Sequence, residues 1–177
     1  MYKFYYLFFV IILSSCAFQP TGSTLQGGYV EPTEKVEGFA TVVIYRHEKL
    51  LGAAWYPHIS INGKNLVNLS AGGYTYFFIK PGNYQIHAEQ VISDIARTNK
   101  GETYNLDIEI NDTGMYFVKF DFLQTGNKLN IAHTGTNPVI YASRKGSFYL
   151  GRVPRDKNTI KELQGTRYIA PNRKLIY

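Results

Sequence analysis

An all-β fold, an antiparallel sandwich of two sheets built from consecutive hairpins with a short C-terminal helix, is what this sequence predicts. Three observations predict it. Short runs rich in β-branched and aromatic residues recur between turn signals. No long segment carries the 3.6-residue apolar period of a helix, and strict two-residue alternation runs through 104–110 and 116–122. With 45% apolar and 15% aromatic residues in a chain of 177, the composition supplies one packed core and argues against a disordered bulk.

The elements follow in order. Residues 1–15 stand outside the fold: Lys3 precedes a run from Phe4 to Leu13 that is almost wholly apolar, and Ser14 and Ser15 are small. This is the layout of a signal peptide, since ten such residues rise only about 15 Å as a helix and a bilayer core needs about 20. Residues 16–38, rich in Gln, Pro, Thr, Gly, Ser and Glu, read as a flexible tether unless Leu25, Tyr29 and Val30 dock on the body. The sandwich domain is then 39–177.

Phe39 to Arg46 is the first strand. Trp55 to Ile61 meets Asn62-Gly63, the pair that best tolerates two positive φ angles, and returns through Lys64 to Leu69 with Ile59 opposite Leu66. Gly73 to Ile79 reaches Lys80-Pro81-Gly82-Asn83, which reads as a type II turn pairing Phe77 with Ile86 and Ile79 with Tyr84. A third hairpin turns at Asp112-Thr113-Gly114 and sets Leu106 opposite Phe120, Ile108 opposite Val118, and Asp107 against Lys119 outside. Residues 137–143 and 147–153 read as edge strands. Thr159 with Glu162 forms a capping-box pattern, and Gly165 a stop, so a helix is expected over 159–164, docked through Ile160 and Leu163.

Two resemblances add to this. Leu13-Ser14-Ser15-Cys16 resembles the bacterial lipobox, which implies cleavage before Cys16 and a diacylglyceryl group on its thiol. Cys16 is the only cysteine, which fits an exported domain without disulfides. Two acyl chains anchor stably where one binds reversibly. Ala17 follows, where aspartate usually retains lipoproteins in the inner membrane, so the resemblance implies an outer-membrane protein facing the periplasm. Separately, Val43-Ile44-Tyr45-Arg46, Gly52, Ile59 to Lys64, Leu69, Gly73-Tyr74 and Pro81-Gly82-Asn83-Tyr84 resemble bacterial proteins grouped as domain of unknown function 2846, with a further likeness at 162–167. That resemblance, and a local one to PEGA-type domains, implies a sandwich of the transthyretin type with no assigned activity.

Candidate chemistry is sparse. His47, His58, His87 and His133 lack metal-ligand spacing; His58 and His87 would make at best a two-ligand site, and surface histidines are the simpler reading. Asp107, Glu109 and Asp121 read as a salt-bridged patch with Lys119. No nucleophile motif or phosphate-cradling loop is present, so the chain is expected to be no enzyme and to need no cofactor. The net charge of +6 becomes +5 when residues 1–15 are removed, and much of it falls late, from Arg144 to Lys174. Such a surface favours lipid headgroups or anionic polymers, while export argues against nucleic acid. The interaction surface expected from composition comprises Trp55, Tyr56, Tyr74, Tyr76, Arg152, Arg155 and Lys157. The functional expectation is a membrane-anchored lipoprotein binding an envelope protein or polymer; the alternative is a carbohydrate- or peptidoglycan-binding module using exposed Tyr and Trp.

Overall fold

The computed structural model describes residues 24–25, 28–48, 56–91, 103–122 and 148–176. Cys16, Trp55, His133 and the expected edge strand at 137–143 lie outside them. Eleven strands and one helix occur among the described residues: β1 (Thr24–Leu25), β2 (Ala40–Tyr45), β3 (Tyr56–Ile61), β4 (Lys64–Asn68), β5 (Gly73–Ile79), β6 (Gly82–Val91), β7 (Thr103–Ile110), β8 (Met115–Phe122), β9 (Phe148–Val153), α1 (Lys157–Gln164), β10 (Arg167–Ile169) and β11 (Leu175–Ile176). They form a sandwich of a seven-stranded sheet, ordered β1-β10-β5-β2-β8-β9 with β11 also on β5, and a four-stranded sheet, β4-β3-β6-β7.

The β3–β4 hairpin is as expected at its turn: Asn62 and Gly63 hold φ of 45° and 73°. Its register is not. Ile59 pairs with Val67 because a bulge between Ile59 and Ser60 takes up one residue, and Leu66 and Val67 are both buried as a result. The other two expected hairpins do not form. β5 pairs with β2 on one edge and with β10 and β11 on the other, so no edge remains for β6, which joins β3 and β7 instead. Gly82 carries the chain from one sheet into the other with φ of 155°, away from the value of about 80° that a type II turn requires. Likewise β8 lies between β2, parallel, and β9, so the loop at 112–114 is a second crossing between sheets and not a hairpin turn. Asp112 shapes that loop by accepting from the Gly114 N–H (2.7 Å) and the Tyr116 hydroxyl (3.1 Å).

The inward residues are nonetheless those that alternation selects. Val42, Ile44, Phe77, Ile79, Leu106, Ile108, Val118 and Phe120 meet in one core between the sheets. At one end Phe120 stacks on Phe148 at 5.1 Å, and the buried Arg46 guanidinium lies 5.2 Å from the Phe148 ring centre. Burial pulls Arg46 down to about 10, against the attraction of Asp121, which leaves it charged at neutral pH.

A second apolar cluster lies on the other side of the seven-stranded sheet: Val43, Tyr45, Tyr74, Phe117 and Leu163, with Tyr29, Tyr76, Ile160 and Tyr168 packed around it. This explains why every residue of β2 is buried: the strand is covered on both faces. The cover is α1 and the segment entering the domain. α1 starts two residues before the expected position, because Asp156 caps it by accepting from the Thr159 N–H at 2.8 Å; Gly165 ends it as expected. Thr159 itself is buried, and Glu162 turns inward in place of closing a capping box.

Candidate interaction surfaces

The entering segment corrects the expectation of a tether running to residue 38. β1 pairs antiparallel with β10, Thr24 opposite Ile169 and Leu25 opposite Tyr168. Beyond it, Tyr29 meets the Tyr74 ring edge-on at 5.1 Å, and the Val30 N–H donates to the Tyr74 hydroxyl at 3.2 Å. Arg155 donates to both carboxylate oxygens of Glu31, at 2.9 and 2.8 Å, and Lys174 pairs with Glu34. Burial, followed by the nearby Glu31 and Tyr74, pushes the Tyr29 hydroxyl up to about 12. We call residues 28–38 the strap.

Beneath α1 lies a polar clamp that joins three elements of sequence far apart. The Tyr45 hydroxyl donates to Glu162 Oε2 (2.8 Å), Lys119 Nζ donates to Glu162 Oε1 (2.7 Å), and Lys119 also pairs with Asp121 at 3.2 Å. Lys119 and Asp121 side chains are 10% and 3% exposed, so neither charge reaches water freely. Burial pulls the Lys119 ammonium down, but Tyr149, Glu162 and Asp121 together outweigh it and hold the amine above its usual range. Burial raises Tyr45 well above an ordinary phenol, with Glu162 adding to it, and pushes Tyr149 up to about 12. Lys119 and Asp121 are therefore fixing elements of α1, and they do not pair with Asp107, which lies on the other sheet.

Among the described residues, none packs as a cover over the outer face of the four-stranded sheet. β3 and β7 alternate half-buried or exposed with buried residues along their whole length. His87 Nδ1 lies 2.7 Å from Asn105 Oδ1, and Gln85 Nε2 donates to Asp107 Oδ1 at 3.1 Å. His58 pairs with Glu89 and Ser60 with His87, so the two histidines share this face one pair apart. Among the described residues no three His, Cys, Asp or Glu side chains converge as a metal site. A shallow hollow of about 570 Å³ runs along β6 and β7, lined among others by Asn83, Gln85, Asp107, Glu109 and Arg152.

The expected surface residues are thus not one patch. Tyr56 is half-buried on the open face, 6.3 Å from the His58 ring. Tyr74 is 3% exposed and belongs to the packing under the strap, which corrects the expectation of exposure. Tyr76 is half-buried beneath Lys174, whose ammonium sits 5.1 Å from the ring centre. Arg152 lies on the β9 edge with its guanidinium 4.6 Å from the Tyr116 ring, whereas Arg155 and Lys157 stand together at the start of α1. Sequence reasoning missed the clamp of Tyr45, Lys119 and Glu162, whose signal was a lysine in phase with Phe117 on β8.

A family model described as protein of unknown function (DUF2846) matches residues 36–135, more than half of the chain, and the chain belongs to that family. No curated protein and no solved structure matches it. Among the described residues no helix is long and apolar enough to cross a membrane.

Proposed function

We propose that this protein is a lipid-anchored lipoprotein of the bacterial cell envelope whose sandwich binds or scaffolds another envelope component and catalyses no reaction. The observation that carries the reading is the position of Cys16, at the end of a leader-like apolar run and eight residues before a segment held against the domain. A lipid there would join the membrane to a defined edge of the sandwich. Ala17 favours the outer membrane, with the domain in the periplasm. Among the described residues, the outer face of the four-stranded sheet, with the adjoining hollow lined by amides, carboxylates and Arg152, is the surface that suits a partner best. Sugar stacking draws less support, because Tyr74 and Tyr76 are engaged under the strap and Lys174, leaving Tyr56 and Trp55.

Metabolic labelling with a palmitate analogue tests the anchor. Label on the wild-type chain and none on Cys16→Ala is the expected result; equal labelling of the two, or none on either, contradicts it.

A further inference from the structure

The outward stripe of α1 is cationic, and the fold makes it so. Lys157, Asn158, Lys161 and Gln164 are exposed, while Thr159 and Leu163 are buried. The helix contains a single acidic residue, Glu162, and it is turned inward to Tyr45 and Lys119. Asp156 is engaged as the N-cap. Lys157 and Lys161 therefore have no carboxylate partner among the described residues. Val30 stands at 69% exposure on the strap beside this stripe, the most exposed large apolar side chain described. Its backbone is fixed by Tyr74 and its neighbour Glu31 by Arg155, so its side chain is held in solvent. A fixed apolar tip beside unpaired cations is the chemistry of a surface that rests on anionic lipid.

The entry of the chain lies at the same place. Gly28 packs so closely on α1 that a Cβ there would stand 3.0 Å from the Gln164 carbonyl oxygen, and β1 is the edge strand beside β10. From Cys16 to Thr24 is eight residues, at most about 28 Å of extended chain, and α1 is about 12 Å long. The opposite outer face presents Glu89, Asp107 and Glu109. An anionic membrane would attract the first face more strongly than the second, where Arg152 stands beside these carboxylates.

We infer that the outward stripe of α1, with Lys157 and Lys161, and Val30 beside it, rests on anionic phospholipid headgroups and turns the outer face of the four-stranded sheet away from the membrane. This rests on the lipid-anchor reading, and the test separates the two.

The lipidated full chain is reconstituted into vesicles of phosphatidylcholine alone and of phosphatidylcholine with phosphatidylglycerol, and amine acetylation is read by mass spectrometry. With phosphatidylglycerol, Lys157 and Lys161 are expected to react about fivefold more slowly, reversibly with salt, while the exposed Lys64 on β4 is unchanged. Equal rates at Lys157 and Lys161 in both vesicles overturn the inference. Slowing in neutral vesicles too, or only on adding a soluble polyanion, also overturns it, since another copy or a polymer would then be the occupant. As a second measurement, Cys16→Ser chains carrying Lys157→Gln and Lys161→Gln should bind phosphatidylglycerol vesicles about 25-fold more weakly than Cys16→Ser alone, about fivefold for each charge; equal binding contradicts the assignment. Failure of the wild-type chain to float with neutral vesicles would overturn the anchor, whatever the acetylation pattern.

Discussion

The outer face of the seven-stranded sheet is roofed by α1 and the strap, whereas the outer face of the four-stranded sheet carries no such roof among the described residues. The difference is written in single strands. β2 reads Ala-Thr-Val-Val-Ile-Tyr and is buried at every position; β7 reads Thr-Tyr-Asn-Leu-Asp-Ile-Glu-Ile and is buried at every second one. A strand with apolar residues on both sides must be covered twice, and here the cover consists of the chain's own ends. The aromatic residues that composition suggests for binding, Tyr74 and Tyr76, are occupied in holding that cover. The lesson is that, among the described residues, the four-stranded sheet keeps an outer face that alternates exposed and half-buried polar residues, and the roofed sheet fixes where the N-terminal segment and the cations of α1 lie.

The clamp holds the roof through buried charges. Lys119→Ala would take away the ammonium 3.2 Å from the 3%-exposed Asp121 carboxylate and the tie to Glu162, and a loss of about 3 kcal/mol is expected in urea unfolding. Adding Asp121→Asn should recover part of it. Leu163→Ala, at the fully buried centre of the roof, should cost about 2–3 kcal/mol by the same measurement. Losses under 0.5 kcal/mol at both sites would mean that the roof is not part of the cooperative fold.

Alkali sharpens the same contrast. Lys119, Tyr45, Tyr149 and Tyr29 all keep their protons in the folded protein beyond the pH at which the unfolded chain releases them, about 10. Stability from these groups is therefore complete below that pH and lost as pH rises through their folded values. Urea midpoints should hold level from about pH 7 to 9 and fall above about pH 10, with tyrosinate absorbance appearing alongside unfolding. A midpoint that rises above pH 10 would contradict the burial of these groups.

Smaller effects follow. Tyr29→Ala should speed limited proteolysis within 28–38 and cost about 1–2 kcal/mol, whereas Tyr56→Ala on the four-stranded sheet should lie within about 0.5 kcal/mol of wild type. Equal costs would erase the distinction between the faces.

Much of this was legible in the sequence. β2, the Asn62-Gly63 turn, the alternation of β7 and β8, the edge strand β9, and the helix stop at Gly165 follow from local rules. Strand partners do not. Leu106 and Phe120 point inward whether their strands pair in one sheet or face each other across the core, so alternation cannot tell a hairpin from a crossing between sheets. The decision at Gly82 and at 112–114 was made by strands elsewhere that already occupied the edges of β5 and β8. β10 and β11, of three and two residues, carry no local signal, yet they fill the edge of β5. Without β10, β1 has nothing to pair with, which is why 16–38 read as a tether. The clamp was hidden for the same reason, since Tyr45, Lys119 and Glu162 meet only after both sheets are ordered.

Amide hydrogen exchange resolved by segment tests the docked strap most directly. Slow exchange is expected at the Val30 N–H, which donates to the Tyr74 hydroxyl, with acceleration in Tyr74→Phe while β2 stays protected. Exchange of residues 28–38 at the rate of an unstructured peptide in the wild-type protein would contradict it.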